Sequence, residues 1–146
     1  MPTMKWYGLG LEAAMEQASD SDYLTGTVKV ALTTASYTPN QDTHQFFSDI
    51  TNEVSGTGYT AGGATLTSKT ITYDATTQRI WLNAADVTWA TSTITNARYA
   101  IIYIDTGVAG TSRLLAYLDM DSNQSTSASD FQIQWATNDI LYIDVT

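Results

Sequence analysis

Short segments of alternating apolar and polar residues recur along the chain after residue 26. Between residues 27 and 34, Val28, Val30 and Leu32 recur at every second position, which is the spacing of a β-strand with one buried face. Similar short segments recur at regular intervals as far as the C-terminus. They predict further strands at residues 65–73, 79–83, 87–90, 98–105, 114–119, 131–135 and 141–145.

Two of these segments also predict how deeply their strands are buried. Residues 98–104 are almost continuously apolar, which is typical of a central strand buried on both faces. Residues 131–135 alternate cleanly, so we expect one face of that strand to meet solvent. About eight short strands separated by turns, one of them a hairpin turn at 74–78, predict a mainly β fold: a β-sandwich or jelly-roll-like domain.

Three segments depart from the strand pattern. Residues 9–19 place their apolar side chains near one helical face and predict a short N-terminal helix, which residues 1–8 precede as an arm. Residues 35–63 form a long irregular loop region, with one helical turn predicted around residues 43–50 and a glycine-rich end at residues 55–63. We interpret residues 1–146 as a single β-domain.

The composition favours a domain that contacts other proteins and not nucleic acid. Of the 146 residues only 14% are charged, against about 25% in a typical globular domain, and Thr, Ser, Asn and Gln replace the missing charges. Such neutral polar side chains suit exposed strand faces and leave few charges to desolvate at an interface. The net charge of −9 repels phosphate backbones, and the basic residues are scattered along the sequence.

The sequence also indicates where the chain is made. It contains no cysteine, which excludes disulfides and thiolate metal sites and agrees with a reducing cytosol. No apolar stretch resembles a signal peptide or approaches the length of a membrane span. We therefore expect a soluble protein made in the cytoplasm, with no membrane partner.

No catalytic residues are predicted. His44 is the single histidine, and it lies in a polar loop outside any recognisable nucleophile–base motif. The acids form no pair that the sequence alone brings to one cleft. The glycines between residues 56 and 63 lack the lysine and the following helix of a phosphate-binding loop. We therefore expect no enzyme activity and no cofactor.

The clearest pattern for a metal site lies at residues 119–130. Asp119, Asp121 and Asn123 place oxygens at the alternate positions of a calcium-binding loop, and Asp130 occupies the twelfth position. Gln124, however, stands where that loop needs a glycine, and the flanking segments predict strands instead of helices. A strand-end loop with solvated acids is the favoured interpretation, and a cation bound by these four residues is the alternative.

The aromatic residues divide into two groups. Trp81 and the later tryptophans lie within predicted strands, where core packing or strand-face pairing is the expected role. Trp6 and Tyr7 lie in the N-terminal arm, where they serve either as interface anchors or as a lid folded back on the core. Tyr59, in the glycine-rich stretch, is the third candidate interface residue.

Six stretches of the chain carry a resemblance to a known family. They are residues 28–39 (VKVALTTASYTP), 46–50 (FFSDI), 52–66 (NEVSGTGYTAGGATL), 85–89 (ADVTW), 97–100 (ARYA) and 131–135 (FQIQW). The glycine-rich stretch is the most specific of them. From about residue 5 onward, the chain resembles a family of small structural proteins of tailed bacteriophages.

The resemblance implies a virion component, and within that class a capsid decoration or cement protein with a sandwich or jelly-roll fold. The expected partners are then the major capsid protein and copies of itself, as a trimer or, less favoured, a dimer, and the expected place is the capsid exterior. A neck, tail or baseplate protein is the first alternative. A carbohydrate- or receptor-binding module, suggested by the sandwich and its tryptophans, is the second.

Overall fold

The computed structural model describes residues 3–7, 22–136 and 140–145, and these residues form a mainly β fold. A short 3-10 helix, Phe47–Asp49, lies between two of the strands. The strands of the described chain are β1 (Thr3–Trp6), β2 (Val28–Thr34), β3 (Ala64–Thr65), β4 (Thr70–Asp74), β5 (Arg79–Asn83), β6 (Val87–Ser92), β7 (Ala97–Ile104), β8 (Leu114–Gln124), β9 (Ser129–Ile133) and β10 (Leu141–Asp144).

Antiparallel pairing assembles these strands into three sheets. The central sheet has five strands in the order β1-β8-β7-β2-β3. The hairpin sheet has the order β10-β5-β4, and its strands β4 and β5 are joined by the turn at residues 75–78. β6 and β9 pair with each other in a two-stranded sheet.

One hydrophobic cluster joins all three sheets. Val30 of β2 and Ile102 of β7 are inaccessible to solvent and belong to the same cluster as Leu82 of the hairpin sheet and Phe131 of the two-stranded sheet. Complete burial of a side chain of this size contributes about 1.5–3 kcal/mol. This cluster is therefore the main core, and it covers one face of the central sheet.

The opposite face of the central sheet is also buried. Ile101 and Tyr103 of β7 belong to a second cluster, together with Tyr7 and Tyr37. Phe47 stacks on Tyr103 with ring centroids 4.3 Å apart and planes inclined by 20°. Residues 35–63, which we call the covering segment, supply Tyr37 and Phe47. β7 is thus buried on both faces, as its nearly continuous apolar sequence predicts.

Backbone hydrogen bonds fix the covering segment to the strands beneath it. The N–H of Phe47 donates to Ser112 O (2.7 Å), and the N–H of Val54 donates to Leu32 O (2.9 Å). Asp49 Oδ2 accepts the N–H groups that precede its 3-10 helix, from Gln45 (2.8 Å) and Phe46 (2.9 Å). Partial burial opposes the ionisation of Asp49, but these two donors outweigh it and hold its pKa below the usual range.

The glycine-rich end of the covering segment is clamped by Glu53. Its Oε1 accepts the hydroxyl of Tyr59 (2.7 Å) and the N–H of Gly62 (2.6 Å). Gly62 O in turn accepts the hydroxyl of Tyr103 (2.7 Å). Gly63 follows with φ of +81°, and a Cβ placed there would lie 1.8 Å from Val30 O. The stretch is therefore an ordered loop that needs glycine at this position.

The structure confirms the mainly β prediction and most of the predicted strands. The predicted strand at 65–73 is wrong as a single element, because the chain leaves the central sheet after β3 and enters the hairpin sheet at β4. Ser68, with φ of 53°, makes this change of direction in the left-handed region. The helical turn predicted around residues 43–50 corresponds to the 3-10 helix Phe47–Asp49.

Two N-terminal predictions have different outcomes. The arm predicted at residues 1–8 is wrong for its described part, since β1 pairs with β8 from Thr3 to Trp6. The helix predicted at residues 9–19 lies outside the described residues. The sandwich or jelly-roll arrangement stays a prediction, because the strands pair in three sheets instead of two.

The close approach at Gly63 gives a test of the covering segment. We expect Gly63→Ala to lower the free energy of unfolding by about 2 kcal/mol or more, because the new Cβ clashes with Val30 O at a positive φ. Gly110→Ala is the matched control, since no atom lies within 4 Å of the added Cβ. Urea unfolding of both variants measures the difference. Equal stability of the two variants would contradict this account.

Candidate functional site

The outer face of the hairpin sheet carries rows of aromatic, polar and charged side chains. The strand register places Trp81 between Thr72 on β4 and Tyr142 on β10. In the neighbouring row, Arg79 lies between Asp74 and Asp144. The opposite side of this sheet carries Leu82 and Leu141, which belong to the main core, so the rows described here point away from that core.

Aromatic rings and a guanidinium group form the centre of this face. The Trp81 and Tyr142 rings lie 5.1 Å apart, inclined by 58°. Arg79 Cζ lies 4.1 Å from the Tyr142 ring centroid and 5.5 Å from that of Trp81. Arg79 Nε also donates to Asp144 Oδ1 at 2.6 Å. The arginine therefore packs against both rings and keeps its charge paired.

A shallow hollow of about 410 Å³ lies beside Trp81. This volume falls within the range of roughly 300–1,000 Å³ typical of small-ligand pockets. Asp74 at its rim accepts the N–H of Thr76 (2.8 Å) and the hydroxyl of Thr77 (2.9 Å), and these bonds hold its pKa below the usual range. The residues around the hollow are Thr70, Thr72, Tyr73, Asp74, Ala75, Trp81 and Asn83.

Exposed apolar side chains concentrate on the same sheet. Ile71 and Tyr73 of β4 are 45% and 56% exposed, although they share a sheet face with the buried Leu82. Tyr142 and Val145 are 42% and 55% exposed at the other edge. These four are among six exposed large hydrophobic residues in the described chain, so the apolar surface is concentrated on the hairpin sheet.

A second concave surface lies between the central sheet and β9. This groove has a volume of about 940 Å³, and its apolar walls include Met4, Trp6, Leu118, Met120, Phe131 and Trp135. Trp6 Nε1 donates to Tyr142 O at 3.4 Å, which connects the groove wall to β10. Trp6, a predicted interface residue, is therefore half-buried at the edge of an apolar groove.

The other two predicted interface residues make hydrogen bonds within the chain: Tyr7 is fully buried and Tyr59 is half-buried. Tyr7 has no exposed surface, and its hydroxyl lies 2.9 Å from that of Tyr37. Tyr59 Oη accepts the N–H of Leu32 (3.0 Å) and donates to Glu53. Tyr7 therefore folds back on the core, which was the favoured of the two interpretations, and Tyr59 serves to fix the covering segment.

The single histidine also serves to hold the covering segment in place. His44 Nδ1 accepts the N–H of Asn40 (3.3 Å) and lies 2.8 Å from Tyr37 Oη, which continues to Tyr7. Burial raises the pKa of Tyr37 to about 12 and raises that of Tyr7 well above its usual value. These phenols therefore stay protonated near neutral pH. The geometry provides a buried hydrogen-bonded chain and not an activated nucleophile.

The four residues of the metal pattern are divided between two strands, β8 and β9. Asp119 Oδ1 and Oδ2 accept Arg98 Nε (2.7 Å) and Nη2 (3.1 Å). Asp130 Oδ1, on β9, accepts the N–H of Thr91 (2.9 Å). Asp121 and Asn123 continue strand β8, which belongs to a different sheet from β9. No cluster of three potential metal-ligating side chains occurs among the described residues.

Sequence reasoning missed the exposed face that contains Trp81. We assigned Trp81 to core packing or strand-face pairing because it lies within a strand. The cross-strand pair with Tyr142 confirms the pairing, whereas core packing is wrong, because Trp81 is half-buried on the outer face. The signal was present in the alternation of β5: Trp81 is in phase with Arg79 and Asn83, whereas Ile80 and Leu82 form the other face. A tryptophan in phase with polar residues indicates an exposed face.

Comparison with known proteins gives no match: no family model, no curated protein and no solved structure is significantly similar to this chain. Within the described ranges, no helix has the length and apolar character needed to cross a membrane.

The Arg98–Asp119 pair predicts a pH-dependent term in stability. Partial burial raises the pKa of Asp119, but the hydrogen bonds from Arg98 outweigh this and hold it below the ordinary value of 3.8. A carboxyl group whose pKa is lower in the folded state stabilises the fold at pH values above its unfolded-state pKa. This stabilisation is lost as the pH falls through the folded-state pKa. We expect Asp119→Asn to cost about 1 kcal/mol at pH 7 and almost nothing near pH 2.

Urea unfolding of wild type and Asp119→Asn between pH 7 and pH 2 measures this difference. Asp42→Asn, at an exposed position of the covering segment, is the control. A difference that stays constant over the whole pH range would refute the role of the ionised carboxylate.

Proposed function

We propose that this chain is a structural protein of a tailed-bacteriophage particle, specifically a capsid decoration protein that binds the outer surface of the assembled head. The resemblance of its sequence to small structural phage proteins supports this proposal. The structural observation that supports it best is the concentration of exposed apolar residues on the hairpin sheet. These residues lie along the two edges of that sheet, and exposed apolar surface concentrated in one part of a molecule is typical of a protein-contact site.

The proposed role works through binding and needs no reaction. A protein that binds the assembled shell but not the free shell subunit adds its binding free energy to the assembled state. Repetition over the lattice lets modest contacts act together, provided that copies also touch one another. The major capsid protein and further copies of this chain are therefore the proposed partners. Neither nucleic acid nor a cofactor takes part.

The charge and composition agree with a position on the capsid exterior. A net charge of −9 is repelled by packaged DNA inside the head. In this proposal the chain is made in the bacterial cytoplasm and joins the head there, with its three sheets arranged as a sandwich and with two or three copies grouped at a symmetry axis. A neck, tail or baseplate position is the alternative within the same class.

Copy number in purified particles separates these positions. We expect mass spectrometry of particles of the encoding phage to find hundreds of copies, because a decoration protein repeats with the shell lattice. About six or twelve copies would favour a ring in the neck or tail. Absence from the particle would refute the whole proposal.

Deletion of the gene tests the stabilising role itself. We expect heads that lack the protein to release DNA at lower temperature or lower ionic strength, and to regain resistance when the purified protein is added back. Equal survival of complete and deleted particles would contradict cementing, even if the copy number is high.

A carbohydrate-binding module is the second candidate function, and the hollow beside Trp81 favours it. Sugar rings pack their C–H groups against aromatic faces while neutral polar side chains bind the hydroxyls. Here Trp81 is flanked by Thr70, Thr72 and Asn83, which supply such groups. An anionic ligand is disfavoured there, since the single charged residue around the hollow is the carboxylate of Asp74.

A glycan array followed by tryptophan-fluorescence titration tests this candidate. We expect any neutral oligosaccharide that binds to lose at least about tenfold in affinity in Trp81→Ala, because the stacking surface is removed. Trp135→Ala, at the wall of the separate groove, is the matched control and should leave binding unchanged. No binding by wild type, or an equal loss in both variants, would reject the site.

A further inference from the structure

We propose that strand β4 pairs with β4 of a second copy of this chain, antiparallel and about a two-fold axis at Thr72. The two hairpin sheets would then form one continuous sheet of six strands. This contact is independent of the phage role proposed above, because it follows from the backbone and sequence of β4 alone. The five residues of β4 define the register of the two paired strands.

β4 is an edge strand with a free row of backbone groups. Within the described chain its hydrogen-bonded neighbour is β5, and the opposite side has no strand. The other edge of the same sheet differs, because Trp6 Nε1 donates to Tyr142 O on β10. β4 is therefore the side of the hairpin sheet on which a further strand can add.

The direction of the backbone groups follows from the known pairs. Val145 donates its N–H to Gln78 O at 2.9 Å, so Gln78 and alternate residues after it on β5 bond towards β10. Trp81, which has the opposite phase, then bonds towards Thr72 of β4. Ile71 and Tyr73 have the other phase on β4, so their N–H and C=O groups point to the free edge.

The sequence of β4 is complementary to itself in this arrangement. With Thr72 on the two-fold axis, Ile71 lies opposite Tyr73 of the second copy, and both residues can form both of their outward hydrogen bonds. Thr70 lies opposite Asp74 of the second copy, so no like charges face each other. A register centred on Ile71 would instead place Tyr73 opposite Lys69 of the second copy.

β4 has no proline or lysine to protect its exposed edge, and the carboxylate of its one charged residue, Asp74, is bonded to Thr76 and Thr77. Lys69 precedes the strand, but its ammonium group donates to Gly26 O and so is held back towards the core. The exposed pair Ile71 and Tyr73 would gain an apolar partner on the second copy, which explains their exposure in the single chain.

The interface is small, and this fixes the kind of association expected. Two five-residue strands bury less than the roughly 1,000 Å² of a stable dimer. The contact should therefore be weak in dilute solution and strong where copies are held close together. Trapping by a covalent bond is the appropriate measurement.

The absence of cysteine makes a single-cysteine test possible. In the proposed register Thr72 forms a non-hydrogen-bonded pair with itself, with Cα atoms about 4.5 Å apart, which a disulfide can bridge. Thr70→Cys is the matched control on the same strand and face, since its Cα atoms would lie about 13 Å apart. We expect mild oxidation to cross-link Thr72→Cys into a dimer and to leave Thr70→Cys monomeric.

A second variant tests the edge hydrogen bonds directly. Tyr73→Pro removes an outward N–H while the ladder to β5 stays intact, so the fold should persist. In the Thr72→Cys background we expect it to reduce cross-linking at least about tenfold, and Tyr73→Lys serves the same purpose through an added charge. Equal cross-linking of both cysteine variants, cross-linking at Thr70→Cys alone, or no dimer at all would overturn the proposal. Cross-linking without incorporation into particles would overturn the phage role and support this contact.

Discussion

The central sheet must be covered on both faces, and the rest of the architecture follows from this requirement. β7 carries apolar side chains on both sides, and one opposing layer can bury only one of them. The hairpin and two-stranded sheets bury Ile102 and its neighbours, whereas the covering segment buries Ile101 and Tyr103. The long irregular segment is therefore a second layer of the domain and not a peripheral loop.

This arrangement also determines where acids and aromatic residues are used. The covering segment has little regular secondary structure to pair its backbone N–H groups. The carboxylates of Asp49 and Glu53 accept hydrogen bonds from some of these groups instead. The tyrosines of the second cluster are buried between the covering segment and the central sheet. The outer face and the edges of the hairpin sheet stay exposed, with their apolar and aromatic side chains. The candidate site lies where neither layer extends.

Residue patterns predict the strands well, but they predict poorly how the sheets and the covering segment pack on one another. Two-residue alternation located β2 and β5, and continuous apolar sequence correctly placed β7 at the centre. The covering segment was not recognised as a layer, because its contacts involve isolated side chains such as Tyr37 without periodicity. β1 was missed because four residues are too few to show alternation. The site at Trp81 depends on which sheet face is covered, and a sequence read one strand at a time does not contain that information.

The pairing of β2 with β7 also governs how the chain can fold. Ala31 pairs with Ile101, which lies far later in the sequence, and the whole covering segment intervenes. During synthesis the apolar face of β2, which carries Val28, Val30 and Leu32, has no partner strand until β7 leaves the ribosome. Such distant pairing makes folding slow and exposes strand edges to other chains. The chain would thus reach its native state late, with aggregation as the competing process.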